Sequence, residues 1–165
     1  APVHAYTDTL CASAGYYLAS AADTFTAAAS ADIGSIGVYC AVVDSSRMYQ
    51  EMGIDVTLIA SGWAKGQGMR GTAVDPAYIQ SVRDDVMRHA KRFWSHTVGR
   101  RGEQISREAA QITARSGTEV KPEDWAMAIM QGQCWTAADA PAALHDGLIR
   151  SRRDHIAGIM QGLTR

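Results

Sequence analysis

The chain has 165 residues, 20% of them charged, with a formal net charge of -1, so it is long enough for one domain with a real core and carries no basic field suited to nucleic acid. Three cysteines, Cys11, Cys40 and Cys134, are widely spaced and odd in number, which argues against a disulfide framework or a metal-ligand cluster and favours buried free thiols. No apolar run approaches the roughly 20 residues of a membrane span and no signal-peptide pattern opens the chain, so it reads as soluble.

In order, Pro2 to Asp8 predicts a first strand and Ser13 to Ala22 a buried, small-residue helix. Thr24 to Ala28 predicts a second strand. The apolar run Ile36 to Val43, entered through Gly34-Ser35, predicts a strand buried on both faces, as in a parallel sheet. Ser45 or Ser46 can cap a short helix carrying Met48, Tyr49 and Met52 and ended by Gly53. Ile54, Val56 and Leu58 alternate with Asp55 and Thr57 as a strand does, and Ser61 to Thr72, with Gly62, Gly66, Gly68 and Gly71, predicts a loop.

The second half predicts helices. Asp75-Pro76 starts one whose face is Ile79, Val82, Val86, Ala90 and Phe93; it is expected to end near Gly99, with Arg100-Arg101 serving its carbonyl end. Further helices are expected over Ser106 to Arg115, Pro122 to Gln131 stopped by Gly132, and Thr136 to Gly147, with a weakly amphipathic tail from Ser151 to Gly162. There is no internal repeat.

The candidate chemistry centres on Ser13 in CASAGYYLASAAD, where a strand is about to become a helix. Free N–H groups at a helix start favour developing negative charge, which suits a nucleophile whose intermediate is an oxyanion. Serine is also among the best N-caps, so the local pattern alone leaves both roles open. A Gly-x-Ser-x-Gly elbow is absent, because Cys11 holds the first glycine position. His89 and His96 are seven apart on the long helix and read as surface histidines rather than metal ligands; His4, His145 and His155 complete the set. A lysine base is the other common way to activate serine. Of Lys65, Lys91 and Lys121, only Lys65 lies in a glycine-rich loop behind an apolar strand, next to Trp63, where burial would lower its pKa; an ordinary surface lysine is the other reading of the same pattern.

Three blocks, CASAGYYLASAAD, IGSIGVYCAVVD and MGIDVTLIASGWAKGQG, together resemble the signal peptide peptidase A (protease IV) family of serine-lysine peptidases. That family includes membrane-associated peptidases that degrade cleaved signal peptides and phage proteases that process head-assembly proteins. The similarity extends to Ile149 through GQCWTAADAPAALHDGLI. The resemblance implies an α/β fold of the Clp protease and crotonase superfamily, a spiral of strand-strand-helix units with a mainly helical C-terminal half. It implies a peptidase domain over 1–149 and a tail helix over 150–165. Residue by residue, Ser13 matches the nucleophile, Lys65 the general base and Ser35 the serine whose hydroxyl helps hold that lysine, while the N–H of Ala14 would be one oxyanion donor. The partners implied are a peptide substrate and further copies of the chain, with no cofactor and no metal.

Where signal-peptide members have Ser-Gly-Gly, this chain has Ser13-Ala14-Gly15, a form closer to the phage branch. That branch would be cytoplasmic, and the signal-peptide branch membrane-associated. The family's second oxyanion donor comes from an upstream glycine turn not seen before Ser13, so the chain is expected to be part of a longer enzyme or to be completed by another copy. Two other readings of the same fold are a crotonase-like acyl-CoA enzyme, which would need carboxylates at strand ends, and a non-catalytic assembly protein. Glu51, Glu103, Glu108, Glu119 and Glu123 all fall on predicted helices or their borders.

Overall fold

The computed structural model describes residues 1–162 as a mixed α/β chain in two compact units, one formed by 1–37 with 90–162 and the other by 38–89. The first unit opens with strands β1 (His4–Thr7) and β2 (Leu10–Ala12), helix α1 (Ala14–Ala19), and strands β3 (Thr24–Ala27) and β4 (Asp32–Gly34). β3 lies parallel between β1 and a two-residue strand, Gly147–Leu148. β4 runs parallel to β2 and antiparallel to Cys134–Thr136, with Ala12 opposite Gly34 and Gly34 opposite Cys134. Parallel partners need a crossover, and α1 lies on the connection from β1 to β3 and on that from β2 to β4.

The core of this unit collects Tyr16 from α1, Phe25 and Ala27 from β3, Ile33 from β4 and Ile36 just beyond it, all fully buried. Phe93 and Ile105 join it from the long helix, and Ile129, Met130 and Leu144 close it.

The second unit begins with chain that forms no strand. Helix α2 (Ser46–Glu51) follows, with Ser45 at the N-cap position and Gly53 at φ 71° beyond its end. The cap acceptor is Asp44, whose Oδ1 takes the N–H of Ser46 at 2.9 Å while its Oδ2 takes that of Val74 at 3.0 Å. The Ser46 hydroxyl and these N–H groups hold the Asp44 carboxyl below its usual pKa.

Helix α3 (Pro76–Ser116) replaces two predicted helices with one of 41 residues. Gly99 and Gly102 each cost about 1 kcal/mol relative to alanine. The helix nonetheless continues, because Phe93, Thr97, Arg101, Ile105 and Ala109 recur every four residues as one buried stripe across both glycines. α4 (Pro122–Ile129) starts on a proline and stops before Gly132 at φ 88°, as expected. The predicted helix over Thr136 to Gly147 is not formed. Cys134–Thr136 is strand β5, a 3-10 turn covers Ala142–Leu144, and Gly147–Leu148 is strand β6. Thr136 Oγ1 donates to Asp139 Oδ2 at 2.6 Å, closing a turn where a helix was expected to begin. The tail forms α5 (Arg152–Met160), capped by Ser151 Oγ accepting from the Asp154 N–H; residues 163–165 of the expected tail segment 150–165 lie outside the described residues.

Two expected strands are also corrected. Past the buried Ile36, Tyr39 is 91% exposed and Val43 68%, so Ile36 to Val43 is not buried on both faces. Ile54 to Ala60 is likewise exposed throughout and unpaired among the described residues. Apolar alternation prepares a segment for a sheet, but the hydrogen bonds come from a neighbouring strand. The cysteines are corrected too: Cys40 and Cys134 are exposed and Cys11 is half-buried.

Candidate active site

Ser13 occupies the single residue between β2 and α1. Its backbone stands at φ 54°, ψ -122°, a region that costs a non-glycine residue about 1–3 kcal/mol. Although it holds the N-cap position, its side chain makes no capping hydrogen bond. The residue is exposed, and its hydroxyl is therefore presented on a sharp strand-to-helix turn. The reading of Ser13 as a simple cap loses its physical basis.

The strain is held from the sheet side. The Ser13 N–H donates to Gly34 O at 2.9 Å, which extends the β2–β4 ladder to the serine itself. Gly34 has φ 115°, and a Cβ there would lie 2.6 Å from Gln133 O and 3.0 Å from the Trp135 ring. Only glycine lets β5 approach this closely. Ser35 follows at φ 51°, half-buried, its N–H bound to Gln133 O at 2.6 Å. Two serines with left-handed backbones thus flank one ladder rung, Ala12 opposite Gly34.

Ala14 is the first residue of α1, and the N–H groups of a first helical turn have no intrahelical acceptor. α1 has six residues rather than the ten expected, so the useful donor is the individual N–H more than a summed dipole. Burial pushes up the thiol pKa of Cys11, two residues before Ser13.

Lys65 belongs to the second unit, in the loop after the apolar segment 54–60. Its N–H donates to Gly62 O at 3.0 Å, and Gly66 beside it has φ 85° with Leu58 Cδ1 2.9 Å from where a Cβ would stand. Gly71 packs likewise against Val56 and Tyr49, and its N–H donates to Ser45 Oγ at 2.9 Å. The glycines thus shape the loop. Trp63 does not bury the lysine as expected: Trp63 is 60% exposed and Lys65 is exposed too. The structure brings Ser13, Ala14 and Ser35 together in the first unit and places Lys65 in the second.

The histidines divide. His89 is exposed, as expected, whereas His96 is half-buried and bonded to Ser20 Oγ at 3.1 Å. His155 is buried in the first unit, its Nδ1 3.0 Å from Thr26 Oγ1 and its ring stacked on Tyr6. Burial first, and His4 second, lower its pKa. Glu108, an acid considered for acyl-CoA chemistry, is engaged by Trp125 Nε1 and the N–H groups of Ala142 and Ala143. Sequence reasoning missed Gly34 and Gln133, although the Gly-Ser pair at 34–35 carried a turn signal.

No helix among the described residues is long and apolar enough to cross a membrane. No curated protein matches the chain. The model of Peptidase family S49 matches residues 1–120, which include the Ser13, Ser35 and Lys65 blocks and stop short of the resembling segment that ends at Ile149. With well over half the chain matched, and a strained, exposed serine at its strand-to-helix turn, this protein belongs to peptidase family S49, a family of hydrolases.

Proposed function

We propose that the chain carries the serine nucleophile of an endopeptidase acting through a Ser13–Lys65 dyad on the Clp protease and crotonase type of spiral. The observation that carries this reading is the Ser13 backbone, strained at φ 54°, ψ -122°, with its hydroxyl exposed and free of capping. Such strain persists where function needs it.

Ser13 Oγ attacks the scissile carbonyl as its proton passes to Lys65 Nζ, the general base by family correspondence. The oxyanion that forms is held by the Ala14 N–H. Collapse expels the amine half of the peptide, which takes the proton from Lys65 and leaves an acyl ester on Ser13. Water then attacks the ester as Lys65 takes its proton, and that proton passes to Ser13 Oγ as the acid half of the peptide leaves. Ser35 orients the lysine, on its family correspondence. The substrate is an extended peptide with small or apolar side chains near the cut, bound by main-chain hydrogen bonds along a strand edge. Signal-peptide remnants and phage head-assembly proteins both meet that description, within a peptidase domain over 1–149 that works as a homo-oligomer.

The acyl-CoA alternative finds less support, since Glu51, Glu103, Glu108 and Glu123 lie on α2, α3 and α4 and Glu119 in the loop between α3 and α4. Peptide hydrolysis by the full-length protein, with and without Ser13→Ala, tests the proposal. The alanine form is expected to lose several orders of magnitude in rate. Retention of more than a few per cent of turnover refutes the nucleophile assignment.

A further inference from the structure

The strain at Ser13 needs an anchor on its helix side as well as its sheet side. α1 has only six residues, too few to hold helical geometry unaided. Its middle is tied by Tyr16, fully buried, whose hydroxyl donates to Leu144 O at 3.0 Å. Its outer ring, Tyr17, packs edge-on against Phe93 and tilted over His96, with centroids 5.3 and 4.2 Å away.

The carbonyl end is held differently. Arg100, on α3, donates from Nε to Ser20 O at 3.4 Å and from Nη2 to Ala21 O and to Ala22 O at 3.1 Å. Four residues earlier on α3, His96 Nε2 meets Ser20 Oγ at 3.1 Å. That oxygen already donates to Tyr17 O at 3.0 Å, so it accepts from the imidazole. The next residue, Arg101, is 3% exposed and bound to Asp146 Oδ1 at 2.6 Å, while Asp146 Oδ2 accepts the Phe25 N–H. Arg101 therefore fixes α3 to the sheet from which Arg100 reaches back to α1. The expected service of 100–101 to the carbonyl end of their own helix is corrected: Arg100 bonds the carbonyls that follow α1, and Arg101 bonds Asp146.

We propose that Arg100 is a positioning residue for Ser13: by gathering three carbonyls at the end of α1 it keeps that short helix in place and so maintains the strained turn at its start. The inference deepens the peptidase reading and rests on it for its catalytic consequence. It rests on geometry alone for its structural one. A planar fork spanning three carbonyls is something lysine, a point charge, reproduces only in part. Ser13 stands at the start of α1 and Arg100 beyond its end, so loss of Arg100 misplaces the nucleophile without removing a group beside it.

The test compares wild type, Arg100→Gln and Arg100→Lys in the full-length protein by residue-resolved amide hydrogen exchange and steady-state peptide hydrolysis. In the glutamine form, exchange of the Ser13 and Tyr17 amides should rise about tenfold, the effect of losing a charge-assisted hydrogen bond, with the Ala126 and Ile129 amides of α4 unchanged. The rate constant kcat should fall about tenfold at a KM within about twofold of wild type, and lysine should recover part of both losses. Exchange at Ser13 and Tyr17 that stays put overturns the proposal. So does a uniform rise that includes α4, which would mark Arg100 as a general stabiliser. If Ser13→Ala leaves hydrolysis intact, the peptidase reading fails, and the exchange data still decide whether Arg100 holds the turn.

Discussion

Replacing Ser13 with alanine and with glycine separates strain from capping without any activity assay. Alanine removes the hydroxyl but keeps the Cβ that makes φ 54°, ψ -122° costly. Since no capping bond is lost, its stability should stay within about 0.5 kcal/mol of wild type, where loss of a working serine cap costs about 1 kcal/mol. Glycine removes the Cβ as well and releases about 1–3 kcal/mol of strain. Against this stands the extra freedom glycine gives the unfolded chain, about 0.4–1 kcal/mol. The net expectation is a gain near 1 kcal/mol, or roughly 2–4 °C in Tm for a chain of this size. Thermal and urea unfolding of the three proteins, with secondary structure checked by circular dichroism, measures both differences. A glycine form less stable than wild type, or an alanine form about 1 kcal/mol weaker, refutes the claim that the backbone at Ser13 is strained for presentation of its hydroxyl.

Three other outcomes follow from named contacts. Lys65→Arg should abolish hydrolysis, because arginine keeps the charge but does not give up its proton near neutral pH; an active arginine form in the same peptide assay removes the base role. Gly34→Ala should lower stability by about 2–3 kcal/mol, since its Cβ would lie 2.6 Å from Gln133 O at φ 115°, and a Tm drop under about 2 °C contradicts that clash. His155 and His145 both have pKa values lowered chiefly by burial, so the unfolded chain binds more protons once pH falls below about 6.5. Stability should therefore be flat above about pH 7 and fall from about 6.5 downward, and His155→Asn should show a shallower fall; an equal slope in the variant removes His155 from the account.

Where local chemistry suffices, the sequence determines the structure. Asp44, Ser45 and Gly53 bound α2, Pro122 and Gly132 bound α4, and Ser151 caps α5, because caps and breakers act within a few residues. The strands at His4–Thr7 and Thr24–Ala27, the glycine loop around Lys65 and the position of Ser13 before a helix were legible for the same reason. Other features needed the tertiary structure. Leu10–Ala12 and Asp32–Gly34 are too short to show a pattern and exist as strands because they pair with each other. The runs 36–43 and 54–60 carry the pattern but no partner strand among the described residues, and α3 passes Gly99 and Gly102 because its Phe93-to-Ala109 stripe is buried on both sides of them. Sequence placed a serine at the turn, but whether it capped or was presented depended on a backbone angle. That angle is set by Gly34 from one side and the anchored end of α1 from the other, contacts between residues far apart in the chain.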